Sequence, residues 1–121
     1  MFDNKTGNSA TKLWTIHYYN EKLQDTILAW PKKMVQRYLR IIDLIKIEGP
    51  DLGMPFTRSI GTGLFEIRVQ APEGIGRIFF CYASKKQIVV LHAFIKKTQK
   101  TPGKEWQIAK QRMKEIKNER L

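Results

Sequence analysis

The sequence predicts an α+β domain: a small, mainly antiparallel sheet with a helical hairpin N-terminal to most of its strands and one helix after them. Three observations predict it. Strand-length runs rich in aromatic and β-branched residues lie at 13–19, 64–70, 75–83 and 87–95. Apolar residues recur at helical spacing between Asn20 and Gly49 and again after Thr101. The last three strand runs are joined by connections short enough to form an antiparallel meander. With 121 residues, 42% of them hydrophobic and 27% charged, the chain suits one domain over 13–121 behind a polar leader at 1–12.

Leu13 to Tyr19 alternates Trp14, Ile16 and Tyr18 with Thr15, His17 and Tyr19, the period of a strand. Asn20 is placed to cap a short helix running towards Trp30. Pro31 suits the first residue of a longer helix, where its missing N–H costs nothing. Met34, Val35, Tyr38, Leu39, Ile41, Ile42 and Ile45 then form one apolar stripe, and Gly49-Pro50 ends it. Gly53, Pro55, Gly61 and Gly63 mark residues 51–63 as a loop. In the meander, 64–70 alternates, whereas 75–83 and 87–95 are apolar on both faces and belong in the middle of a covered sheet. Thr101-Pro102 starts the last helix, with Trp106, Ala109, Met113 and Ile116 on one side.

Charge narrows the function. Lys+Arg number 22 against 11 Asp+Glu, a net charge of +11, which calls for a polyanion or an acidic protein as partner. Residues 96–121 carry nine Lys/Arg and three Glu, while residues 1–54 carry eight and six. A single cysteine, Cys81, excludes a disulfide framework, and two histidines leave too few soft ligands for a zinc site. No metal and no cofactor is therefore expected. The longest apolar runs are strand-length, so no membrane span is expected either. The polar start of the chain and the free thiol point to the cytoplasm.

Phosphate-binding glycine loops, nucleophile elbows and metal-ligand spacings are absent from the sequence. The chemistry that remains is cationic. Arg68 sits on the polar face of its strand, Arg77 interrupts the apolar run Ile75 to Phe80, and Lys96, Lys97 and Lys100 follow the last strand, with Lys104 just beyond. A meander can bring these groups to one concave surface. Arginine grips phosphate through two parallel hydrogen bonds, and fixed cations stabilise the charge that a reacting phosphorus gathers. A lysine crowded by other cations has its pKa lowered and can serve as a general base for a ribose 2′-hydroxyl. Each residue also has a plainer role. Arg77 can pair with Glu66, Arg68 can be strand surface, and His92, flanked by Leu91, Ala93 and Phe94, can be a core histidine. Lys32, Lys33, Arg37 and Arg40 form either a solvated helix face or a grip for ribosomal RNA or an acidic partner.

The stretches Gly63 to Arg68, Gly76 to Phe80 and Ile88 to Pro102, above all Phe94-Ile95-Lys96-Lys97-Thr98-Gln99-Lys100-Thr101-Pro102, resemble the phage-derived Gp49-like, HigB-type toxins of the RelE/ParE superfamily. The resemblance covers about 13–118. It implies a RelE-like fold and a type II toxin that docks in the ribosomal decoding site and cuts messenger RNA by attack of the 2′-oxygen on the adjacent phosphorus. It implies a helix-turn-helix, HigA-like antitoxin as partner. It assigns catalysis to Arg68, Arg77, Lys96 and Lys97, and the basic cluster adds Lys100 and Lys104, with His92, as expected phosphate or RNA contacts. Some relatives end with a tyrosine that aids proton transfer; here no tyrosine follows Tyr82. ParE-like relatives imply two other readings, a non-enzymatic inhibitor of DNA gyrase and an inactive antitoxin-binding protein.

Overall fold

The computed structural model describes residues 13–96 and 103–120, and among these it forms five strands and three helices. Strand β1 (Thr15–Tyr18) leads into helix α1 (Glu21–Leu28), then α2 (Lys32–Glu48). The short strand β2 (Thr57–Ser59) precedes the meander β3 (Leu64–Ala71), β4 (Gly74–Ser84) and β5 (Gln87–Lys96), and α3 (Gly103–Arg120) ends the chain. The leader predicted for 1–12 and the cap predicted at Thr101-Pro102 lie outside the described residues.

Local chemistry explains the helix boundaries. The Asn20 side-chain carbonyl accepts from the Leu23 N–H at 2.8 Å, satisfying a donor that the first turn of α1 would otherwise leave open. Pro31 stands one residue before α2 instead of inside it: its backbone is extended, and its carbonyl accepts from Met34 and Val35. Gly49 ends α2 with φ of 93°, and the Trp14 indole lies against its bare Cα, where a Cβ would come within 3.2 Å of the ring nitrogen.

The sheet order is β1-β5-β4-β3-β2, with β1 parallel to β5 and every other pairing antiparallel. The sheet is thus mixed, and β4 and β5 lie inside it as their two-sided apolar character requires. The loop expected over 51–63 contains β2, which pairs with Glu66 and its neighbours. Thr57 organises the turn before it. The hydroxyl donates to the Pro50 carbonyl at 2.8 Å and accepts from the N–H groups of Leu52 and Gly53.

Two cores result. On one face, Phe65, Ile67, Val69, Ile78, Phe80, Ile88 and Val90 pack against Leu23, Ile27, Met34, Tyr38, Ile41, Ile42 and Ile45 of α1 and α2. On the other, Leu64, Phe79, Cys81, Val89 and Leu91 pack under Ala109 and Ile116 of α3. Each fully buried aliphatic or aromatic side chain contributes about 1.5–3 kcal/mol. The second face is only partly apolar, and its remaining half carries the site.

Candidate functional site

The strand register places the cations. Arg68 of β3 stands opposite Arg77 of β4, Glu66 opposite both Arg58 of β2 and Phe79 of β4, and Ile75 opposite Lys96. Side chains alternate along a strand, so Glu66, Arg68, Arg77 and Arg58 share the α3 face. Lys96 joins them through a β-bulge. Phe79 pairs with His92 but Phe80 pairs with Val90, leaving Leu91 as an extra residue in β5. Before the bulge, Ile88 and Val90 face α1 and α2; after it, Ala93 and Ile95 do. Leu91 follows Val89 on the α3 face, and the phase change brings His92, Phe94 and Lys96 to that face as well. Without the extra residue, Lys96 would point into the α1–α2 core.

Glu66 is the anchor of the group. It is 1% exposed, and each carboxylate oxygen takes one arginine: Arg58 Nε donates to Oε1 at 2.9 Å, and Arg77 Nη1 donates to Oε2 at 2.5 Å. Arg77 is itself 4% exposed. The pairing expected as the plainer role of Arg77 is therefore present, and it holds the guanidinium where it also faces Lys96. Arg68 sits at the edge of the sheet beyond the start of β2, its backbone N–H donating to the Phe56 carbonyl. Its Nε is buried without a hydrogen-bond partner.

Lys96 is tucked among neighbours near the surface of the molecule, 5% exposed. Its ammonium is held below the usual lysine range, first by desolvation, then by the charges of Arg77, Arg68 and Arg58; Glu66 opposes them. Among the described residues, four cations surround the carboxylate of Glu66. Such an arrangement can accept a phosphodiester.

Three aromatic rings border this face. Phe79 meets Phe94 at 5.8 Å and the edge of Trp106 at 5.9 Å, and His92 stacks on Phe94 at 5.9 Å. His92 is neither a sealed core residue nor an open phosphate ligand: half-buried, its Nε2 meets Glu105 of α3 at 2.5 Å. Lys104 is exposed on the first turn of α3 and lines a groove with Tyr19, Gln107 and Arg112. Two positions from Trp106, it points to a different flank of the helix. Lys97 and Lys100 lie outside the described residues.

The structure thus brings together Arg68, Arg77 and Lys96, and sets Lys104 apart. It adds Arg58, which the sequence reading missed. Three residues of β2 between glycine-rich turns are too few to display a strand period. The buried thiol of Cys81 is pushed up to about 11 by desolvation, with Lys117 opposing, and stays protonated at neutral pH.

A small α+β protein with a cationic face on its sheet is what the fold and the site define. The sequence model of the phage-derived protein Gp49-like (DUF891) family matches residues 25–114, and the chain belongs to that family, part of the RelE/ParE superfamily of toxin-type proteins. No curated protein matches the chain at a significant level. Among the described residues, no helix is long and apolar enough to cross a membrane.

Proposed function

We propose that this protein is the toxin of a type II toxin–antitoxin pair, of the HigB type, and that it cuts messenger RNA on the ribosome. The observation that carries the reading is the convergence of Arg58, Arg68, Arg77 and Lys96 from four strands on one face around Glu66. Family membership supports the toxin class and an antitoxin partner. The expected antitoxin is a HigA-like helix-turn-helix protein.

In this reading the ribose 2′-oxygen attacks the adjacent phosphorus, and the bond to the 5′-oxygen breaks. The products are a 2′,3′-cyclic phosphate and a free 5′-hydroxyl. Arg77, oriented by Glu66, and Arg68 hold the non-bridging oxygens as they gain charge. Lys96, its pKa lowered by desolvation and then by the surrounding cations, takes the proton from the 2′-hydroxyl, and the resulting ammonium or a solvent water returns one to the departing 5′-oxygen. Lys97 keeps the catalytic role, and Lys100 the phosphate contact, that the sequence reading expects of them. Phe94 and Trp106 border the face where a base would lie, and aromatic stacking is the usual way to hold an unpaired base.

The test is incubation of the purified protein with programmed ribosomes and mapping of new 5′ ends. Cuts within codons that vanish in Arg77→Ala support the reading. Intact transcripts together with inhibition of gyrase supercoiling would replace it with the ParE-like one.

A further inference from the structure

A second cationic concavity adjoins the first across the open edge of β3. It is a pocket of about 290 Å³, lined by Arg37 and Arg40 of α2, Pro55 and Phe56 of the loop before β2, and Arg68 and Gln70 of β3. Three arginines line it, and among the described residues no Asp or Glu does. Arg37 is fixed by donating to the Gln70 carbonyl. Arg40 is exposed and makes no ion pair among the described residues. Arg68 lines the pocket with its Nε buried and unpaired, and its charge is also felt at Lys96. Arg68 therefore borders both concavities. Phe56 adds an apolar ring, 39% exposed, at the lip.

Convergent arginines without a counter-charge suit an oxyanion that can accept several N–H bonds at once. An exposed aromatic ring beside them suits the flat face of a base. We propose that this pocket binds a backbone phosphate of single-stranded RNA, one that flanks the phosphate at the Arg77–Lys96 face, so that the strand runs over the sheet edge past Arg68. This rests on the RNA-cutting reading for its substrate, but its test does not depend on cutting.

A short single-stranded oligonucleotide, 2′-O-methylated so that no 2′-hydroxyl can attack, is titrated with the full-length protein by fluorescence anisotropy over a range of salt. Arg40→Ala, at an exposed position, is expected to weaken binding about 5–10-fold at low salt and to lower the salt slope by about 0.7, the signature of one lost single-strand phosphate. Arg37→Ala should act in the same direction. Lys85→Ala, on the exposed β4–β5 turn, is the control and should leave both quantities unchanged. The proposal is overturned if the wild-type protein does not bind the oligonucleotide, or if both arginine variants behave like the control. It is also overturned if Arg40→Ala weakens binding of a Glu-rich peptide and not of RNA, since the occupant would then be an acidic protein. Cutting on ribosomes is scored separately. Wild-type protein that cuts nothing while Arg40→Ala weakens RNA binding removes the nuclease reading and leaves the pocket; cutting with no Arg40 effect does the reverse.

Discussion

The two faces of the sheet are built to opposite standards. The α1–α2 face is apolar across its centre, with Phe65, Ile67, Val69, Ile78 and Phe80 packed against the stripe of α2. The α3 face is apolar only under the helix; beyond it lie Arg58, Glu66, Arg68, Arg77 and Lys96. Burying a lysine and an arginine beside one shared carboxylate costs more than burying leucines in their place. The difference teaches that the first face holds the fold, while the second spends part of that stability on keeping charges at fixed positions. Substitutions should separate these roles.

The largest effect is expected at Arg77. Its removal takes away a phosphate ligand and leaves buried Glu66 without one of its two arginine hydrogen-bond partners. Arg77→Ala should lower cutting about 10²–10³-fold, read by 5′-end mapping, and should cost about 3–5 kcal/mol in chemical denaturation. The double variant Glu66→Gln/Arg77→Met should regain most of the stability and none of the activity. Recovery of both would mean that the pair serves only the fold.

Lys96 tests the proton step. As pH rises towards its lowered pKa, the neutral amine becomes more populated and cutting should rise with it. Lys96→Arg keeps the charge but removes the base. It should lose about 10²-fold in rate and flatten this alkaline limb. Stability runs with the same shift. The unfolded chain holds the proton more tightly than the folded one, so wild-type stability rises with pH between the lowered pKa and the ordinary lysine value of 10.5. Any stability advantage of Lys96→Met at neutral pH should therefore shrink as pH approaches that upper value, measured by denaturation across the range.

On the apolar face, Gly76 is the sharpest probe. A Cβ there would lie 2.6 Å from the Trp30 ring, which is flat, rigid and packed against the α1–α2 core. Gly76→Ala should cost about 1–3 kcal/mol. Trp30→Leu in the same chain should return part of it, while cutting by the folded fraction of Gly76→Ala stays near wild type. A large loss of cutting per folded molecule would show that the two faces are coupled through β4.

How much of this was legible in the sequence depends on whether the signal was local. The stripe of α2, the Asn20 cap and the meander were readable because periodicity and capping act within a few residues. Arg77 was conspicuous because a guanidinium within an apolar strand demands a partner, and Glu66 was the near candidate. The parallel partner of β1 was not readable, since pairing across some 70 residues leaves no trace in local pattern. The bulge at Leu91 was hidden for another reason. Residues 87–95 are apolar on both faces, so a one-residue change of phase alters nothing visible, yet it decides which way Lys96 points. The pocket of Arg37 and Arg40 was likewise hidden: on α2 alone they are a charged helix face, and only the sheet edge with Arg68 and Phe56 turns them into a concavity.

The smallest expected effect concerns what holds α3 against that bulge. Arg112 donates to the Leu91 carbonyl at 2.8 Å, the residue that falls outside the regular ladder, and its guanidinium lies 4.4 Å from the Tyr19 ring, whose hydroxyl donates to Glu115. A carbonyl at a bulge needs such an outside donor, because the register shift takes it out of strand pairing. Arg112→Met keeps the apolar stem over Tyr19 and removes the donor. The expected cost is about 1–2 kcal/mol, and it should be local. Amide exchange should quicken in α3 and around Leu91 while Ile41, Ile42 and Ile45 of α2 stay protected. The cationic face should loosen with α3, since Glu105 of that helix holds His92 beside Phe94, so cutting should fall more than the stability change explains. Equal acceleration on both sides of the sheet would instead show that α3 and the α1–α2 layer open as one unit, and that the functional face has no separate stability of its own.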